Sequence, residues 1–169
     1  MELHLGFSPC PNDTFIFDAM LHGKIDTEGI TFIPVIEDVE TLNQKALQQE
    51  LAITKLSYHA FAHLVDKYIL LDAGSALGFG VGPLLISKNK IENIEDKIAN
   101  LKIGIPGKLT TANFLLNIAF PQAQQKVEMV FSEIENALIN EEIDLGLIIH
   151  ENRFTYAAKG LHKVIDLGS

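Results

Sequence analysis

Short apolar runs bounded by turn-forming residues alternate along this chain with stretches whose apolar residues return every three or four positions. The first pattern is that of buried strands and the second that of amphipathic helices. Leu3 to Phe7 predicts a strand, and Ser8-Pro-Cys-Pro-Asn-Asp13 is a turn dense in chain breakers. Asn12 or Asp13 then caps a predicted helix from Thr14 to His22, with Phe15, Ile16, Ala19 and Met20 facing inward and Gly23 as its stop. Ile30 to Ile36 predicts a second strand, which Pro34 assigns to a sheet edge. Asp38 or Thr41 caps a helix running to about Gln49. Leu51 to Thr54, Tyr68 to Asp72 and Leu84 to Ser87 read as strands, with a helix from His59 to Val65 between the first two.

From Lys88 the composition turns from apolar to charged, while Ile91, Ile94 and Ile98 keep helical spacing. A domain crossing is expected at about residues 86 to 90, giving α/β lobes over 1–87 and 88–169, both expected to be incomplete. Leu101 to Pro106 predicts a strand, Asn113 to Phe120 a helix, and Lys126 to Phe131 another strand. Ser132-Glu-Ile-Glu135 has the spacing of a capping box that opens a helix to about Asn140. Leu145 to Ile149 is apolar throughout, as expected of a strand buried on both faces in a parallel sheet. Lys163 to Leu167 forms the last strand, expected at an open edge. The order β, α, β, α, β, β over residues 101–167 predicts an α/β fold.

The candidate chemistry gathers where strands end. The apolar run Leu145 to Ile149 gives way to His150-Glu-Asn-Arg-Phe-Thr-Tyr156. Ligands of open α/β sheets bind beyond the carboxyl ends of the strands. His150 is thus a candidate for proton transfer near neutral pH, or else a strand cap bonded to a nearby carbonyl. Gly107-Lys-Leu-Thr110-Thr111-Ala112 follows a strand and opens a helix. Its hydroxyls and free N–H groups suit a carboxylate, although Thr110 serves equally as a cap. The loop after the first strand repeats this design. Four glycines between Gly74 and Gly82 lack the Gly-Lys-Ser/Thr ending of a phosphate loop, and suit close approach to another segment or a flat ligand.

Composition narrows the partners. A net charge of −9 argues against nucleic acid and anionic membranes, yet leaves room for a small anionic ligand. With 47% hydrophobic and 21% charged residues the chain has ample core material, and no apolar stretch approaches the roughly 18 residues of a membrane span. No secretory leader is evident at Met1, and the single cysteine, Cys10, suits a reducing compartment, so a cytoplasmic protein is expected. The acids Glu37, Asp38 and Glu40 are neighbours in sequence rather than a converging metal site, and His59 and His63 lack the third ligand of a helical zinc site.

Six stretches together resemble the 1,4-dihydroxy-6-naphthoate synthase family of the futalosine route to menaquinone. They are Gly6-Phe-Ser-Pro-Cys-Pro-Asn-Asp-Thr-Phe-Ile-Phe17, Glu37-Asp-Val-Glu-Thr-Leu-Asn43, Thr54-Lys-Leu-Ser-Tyr58, Gly78-Phe-Gly-Val-Gly-Pro83, Pro106-Gly-Lys-Leu-Thr-Thr-Ala112 and Ile148-Ile-His-Glu-Asn-Arg-Phe-Thr-Tyr156. The resemblance implies a type II periplasmic-binding-protein-like fold, two α/β lobes with the ligand in the cleft between them. It further implies a cofactor-free carbon–carbon lyase acting on a small anionic substrate, cyclic dehypoxanthine futalosine. His150 matches the family's general base, and Thr110, Thr111, Ala112, Ser57 and Asn43 match positions at the ligand. No metal is implied. Family members are longer and return from the second lobe to the first, so self-association, or pairing with a C-terminal segment, is expected of this shorter chain. Two other readings stand beside the lyase: a solute-binding protein of the same fold, and a chorismate-dehydratase-like sister enzyme.

Overall fold

The strand expected at Leu3 to Phe7 forms as β1 (Glu2–Phe7) in a computed structural model of the chain, which describes residues 1–168. After it come α1 (Pro11–Leu21), β2 (Thr31–Ile36), α2 (Val39–Leu47), β3 (Ile53–Thr54) and α3 (Tyr58–Ala62). The chain continues with β4 (Leu84–Ser87), α4 (Ile94–Lys97), β5 (Ile103–Ile105), α5 (Thr111–Ala119) and β6 (Lys126–Glu128). It ends with α6 (Ile134–Ile139), β7 (Leu145–Ile148), α7 (Asn152–Thr155) and β8 (His162–Asp166). Two compact units result, Met1–Leu77 and Gly78 onward. The crossing therefore lies earlier than the expected residues 86 to 90. β4 hydrogen-bonds to β7 and β8 and so belongs with the second unit, and the change of composition at Lys88 marks a solvent-facing stretch inside it.

The first unit is built on a parallel sheet in the order β2-β1-β3. Pro34 sits on an edge strand, as its missing N–H demands, opposite Leu5. Leu5, Phe7, Leu42, Ala46, Leu51, Ala60 and Leu64 form the core. Asp38 caps α2, its carboxylate accepting from the N–H groups of Glu40 and Thr41, so this acid serves a helix start. α1 departs from expectation. It begins at Pro11, with Cys10 in the cap position and no side-chain cap bond, in place of Asn12 or Asp13. Phe15 is 84% exposed and Ile16 is exposed too, while Ala19 and Met20 are half-buried. The residue α1 buries is Asp13, held by Ser8 and Lys55, and the apolar side chains of the helix gather on no single buried face. Tyr68 to Asp72 forms no strand; Ile69, Leu70 and Leu71 are exposed, and Tyr68 instead donates its hydroxyl proton to the Leu51 carbonyl at 2.8 Å. An apolar run without a strand to pair with remains loop.

The second unit has a five-stranded sheet ordered β6-β5-β7-β4-β8. β5 runs parallel to both β6 and β7, whereas β4 is antiparallel to β7 and β8. The sheet is thus mixed rather than purely parallel, yet all four residues of β7 are buried, as its unbroken apolar run requires. β8 lies at an edge, as expected. One face packs Ile98, Ile103, Ile105, Leu116 and Leu147, and the other Ile86, Ile134, Leu138, Ile143 and Ile148. Ser132 does not open a capping box. Residues Phe131–Glu133 make a 3-10 turn, α6 starts at Ile134, and Glu135 turns into the core instead of back to the cap.

Two glycines stand side by side in the centre of this sheet, Gly104 on β5 opposite Gly146 on β7. A Cβ on Gly146 would lie 2.6 Å from Ile134 Cγ2 and 2.8 Å from Leu138 Cδ1, so α6 rests directly on the β7 backbone. Gly146→Ala should therefore destabilise the second unit by about 1–3 kcal/mol, the usual range for overpacking a tight core. A urea unfolding series on the two proteins measures this.

Candidate functional site

The sequence of strand directions decides which side chains meet. β5, β6 and β7 are parallel, so the segments after them emerge at one edge of the sheet, where the start of β4 and the end of β8 also lie. His150, the Thr110-Thr111 helix start, Phe131 and Gly80 to Pro83 are thereby brought to the same edge. His150 is exposed and adopts the left-handed backbone conformation with φ 56°, unusual for a residue with a Cβ. Its imidazole stands edge-on to the Phe131 ring with centroids 5.2 Å apart.

At the start of α5 the two threonines differ. Thr110 is buried; its hydroxyl donates to the Gly107 carbonyl at 2.8 Å and accepts from the Asn113 N–H at 3.2 Å. Thr111 is exposed on the first turn, and Ala112 packs into the core with Leu116. The helix start thus carries one hydroxyl committed to the cap and one turned outward. Lys108 reaches over Glu128, its ammonium 2.8 Å from Oε1, which ties the loop to the end of β6.

Arg153 fixes the segment beyond His150. Its guanidinium donates to the carbonyls of Gly82 at 2.6 Å and Gly80 at 3.0 Å, and forks onto both carboxylate oxygens of Asp166 at 3.2 and 2.5 Å. Beside this clamp the glycine-rich stretch packs against the end of the chain's last strand. A Cβ on Gly82 would lie 2.4 Å from the Gly168 backbone, so the glycines serve the approach of one segment to another. The hydrogen bond from Arg153 holds the Asp166 carboxyl below the usual aspartate range; burial opposes this, and the Gly168 N–H adds to it.

In the first unit, the ends of β1 and β3 carry a second polar cluster. Asp13 Oδ2 accepts from the N–H and hydroxyl of Ser8 at 3.0 and 2.8 Å, and Oδ1 is 3.0 Å from the Lys55 ammonium. Lys55 also donates to the Gly74 carbonyl at 2.7 Å. Asn43 is wholly buried, and its Oδ1 accepts from the N–H and hydroxyl of Ser57 at 2.9 and 3.3 Å. Asn43 therefore acts on the loop that presents Ser57. Ser8, Asp13, Lys55 and Arg153 lie within the family-like stretches, but no spacing there marks them as partners of one another, and Asp166 lies outside those stretches. The adjacency of Asp13 and Lys55 arises from the pairing of β1 with β3, which no local pattern encodes.

His59 and His63 meet edge-on, ring centroids 5.4 Å apart, and among the described residues no three His, Cys, Asp or Glu side chains gather as a metal site would require. No helix among the described residues is long and apolar enough to cross a membrane. A hollow lined by Ser87, Lys88, Leu138 and Asp144 lies at the opposite edge of the second sheet, with Lys88 paired to Glu141 at 2.7 Å.

The family model for menaquinone biosynthesis matches residues 3–169. A Thermus thermophilus protein named 1,4-dihydroxy-6-naphthoate synthase is 47% identical over 167 residues, an alignment covering 99% of this chain and 59% of that protein. A crystal structure of an Archaeoglobus fulgidus protein superposes with a TM-score of 0.90 at 43% identity, covering 98% of this chain and 60% of that one. The periplasmic aliphatic sulphonate binding protein of Escherichia coli superposes with a TM-score of 0.64 at 14% identity, over 98% of this chain and 56% of that one, a likeness of fold alone. The fold is the expected α/β type, periplasmic-binding-protein-like. The chain spans about three fifths of the length of the first two relatives.

Acid titration probes the Arg153 clamp. A carboxyl whose folded pKa is depressed stabilises the fold above its unfolded value, about 3.9 for aspartate, and loses that contribution as pH falls through the lower folded value. The second unit should therefore lose stability on acidification below about pH 4, and Asp166→Asn should flatten that part of the profile. Thermal melts between pH 2 and 6 measure it.

Proposed function

The chain belongs to the menaquinone biosynthesis family, and we propose that the protein carrying it is the lyase that converts cyclic dehypoxanthine futalosine to 1,4-dihydroxy-6-naphthoate. The observation that carries this reading is the 47% identity to a protein of that name along nearly all of this chain. The reaction breaks a carbon–carbon bond and releases the sugar-derived part of the substrate. In this reading the neutral imidazole of His150 accepts a proton from the substrate as that bond breaks. An exposed ring at the carboxyl edge of β7 is well situated for such a transfer.

The substrate carboxylate is assigned to the start of α5. Backbone N–H groups of its first turn and the outward Thr111 hydroxyl supply donors there, and the helix dipole favours a negative charge. Thr110 serves by holding the turn, and Ala112 by letting the helix sit close against the core. Ser57 is assigned to the substrate as well, although its hydroxyl also caps α3 through the Ala60 N–H at 3.2 Å and is held by Asn43. No cofactor enters this scheme, since acid–base chemistry and a conjugated product suffice for the bond cleavage. The reaction is assigned to the cytoplasm, in keeping with a single cysteine.

His150→Asn in the active protein should lower kcat by about 10²–10⁴-fold with KM little changed, the range expected when a positioned base is lost. Activity within a few-fold of wild type would remove His150 from the mechanism. Thr111→Val should weaken binding of 1,4-dihydroxy-6-naphthoate about tenfold, or about 1.4 kcal/mol, by calorimetry. Unchanged affinity would move the carboxylate elsewhere.

A further inference from the structure

α6 carries a carboxylate on its core side. Glu135 is 1% exposed and shares the buried surface of the helix with Ile134, Ala137 and Leu138. A charge so placed is desolvated and persists only when paired. Its Oε2 accepts from Asn152 Nδ2 and from the Lys159 ammonium, each at 2.6 Å. Its Oε1 is buried with no hydrogen-bond partner among the described residues. Leucine or alanine would fill this position and leave no acceptor unmet, so packing alone does not account for a glutamate.

Both partners of Glu135 belong to the segment just after His150. Asn152 opens α7 two residues later, and Lys159 ends the 3-10 turn beyond it. α7 has four residues and is too short to hold itself by backbone hydrogen bonds. Side-chain tethers hold it instead, Asn152 to Glu135 and Arg153 to Asp166, Gly80 and Gly82. His150 immediately precedes this tethered segment in a left-handed conformation, φ 56°. The ring it meets, Phe131, starts the turn that leads into α6. α6 and its lead-in therefore act on His150 twice, through Phe131 at the ring and through Glu135 on the backbone beyond it.

We propose that Glu135 is a positioning residue for His150: its buried carboxylate, neutralised by Lys159, fixes Asn152 and with it the left-handed turn that aims the imidazole. Glu135 does not touch the substrate. Its role in turnover rests on His150 being the base, whereas its role in the geometry of the turn does not.

The test uses Glu135→Leu, which removes the acceptor, Glu135→Gln, which keeps an amide oxygen for Asn152, and Asn152→Ala, which cuts the tether without touching the core. NMR of the 169-residue chain with labelled histidine and phenylalanine reads the contact between the His150 and Phe131 rings. Glu135→Leu and Asn152→Ala should lose or weaken that contact and shift the His150 ring resonances, and Glu135→Gln should restore them. In the active enzyme the first two should lower kcat about 10²-fold, the scale of a small misplacement of a reacting group, with KM within about twofold. Unchanged ring contacts and kcat in Asn152→Ala would overturn the proposal, even if Glu135→Leu fails to fold. Disturbed ring contacts in an enzyme whose His150→Asn variant remains active would uphold the positioning role and dismiss His150 as base.

Discussion

The second unit depends on one close approach, α6 lying on the backbone of β7 at Gly146. With glycines facing each other on β5 and β7, the sheet has a shallow trough where side chains would otherwise stand. Ile134 and Leu138 fill it on one side of Gly146, while Ile143 and Met129 crowd Gly104. The helix is thereby brought so near the sheet that its next residue, Glu135, is buried as well. Interiors packed to this density transmit a fixed position rather than a tolerance. The segment beyond β7 inherits that precision, because the carboxylate of Glu135 reaches the residues just past His150.

The loops after β1, β3 and β7 are held by the same kind of device, a buried or half-buried polar side chain. Asn43 on α2 holds Ser57, Asp13 on α1 holds Ser8 and Lys55, and Asp166 at the end of β8 holds Arg153. Hydrogen bonds to charged groups in such surroundings are stronger than in water, and leaving either partner alone is costly. The loops thus gain definite shapes without the regular hydrogen bonding of a helix or sheet. Loops that carry outward polar groups on a fixed frame are where binding and catalytic residues concentrate in proteins generally.

Most strands with unbroken apolar runs were legible in the sequence, as was the cap at Thr110, while at α2 the pattern offered Asp38 or Thr41 and the fold uses Asp38. Leu145 to Ile149 read as a buried strand, and the abrupt change at His150 marked its exit. The six motif stretches carried the family likeness along the chain. Legibility failed where burial is decided by distant segments. α1 looked amphipathic from its aromatics, yet Asp13 is the residue that turns in, because Lys55 and Ser8 wait for it. Glu135 looked like half of a capping box and is instead a core carboxylate whose partners lie 17 and 24 positions further on. Tyr68 to Asp72 has strand composition and no strand to join.

In the proposed function the carboxyl edge of the second sheet receives the naphthoate. Backbone amide shifts of the labelled 169-residue chain, tracked during titration with 1,4-dihydroxy-6-naphthoate, address it directly. Saturable changes are expected at the start of α5, around Thr111 to Asn113, and at His150 to Arg153. Changes confined to Ser87, Lys88, Glu141 and Asp144 at the opposite edge, with His150 and Thr111 unmoved, would contradict it.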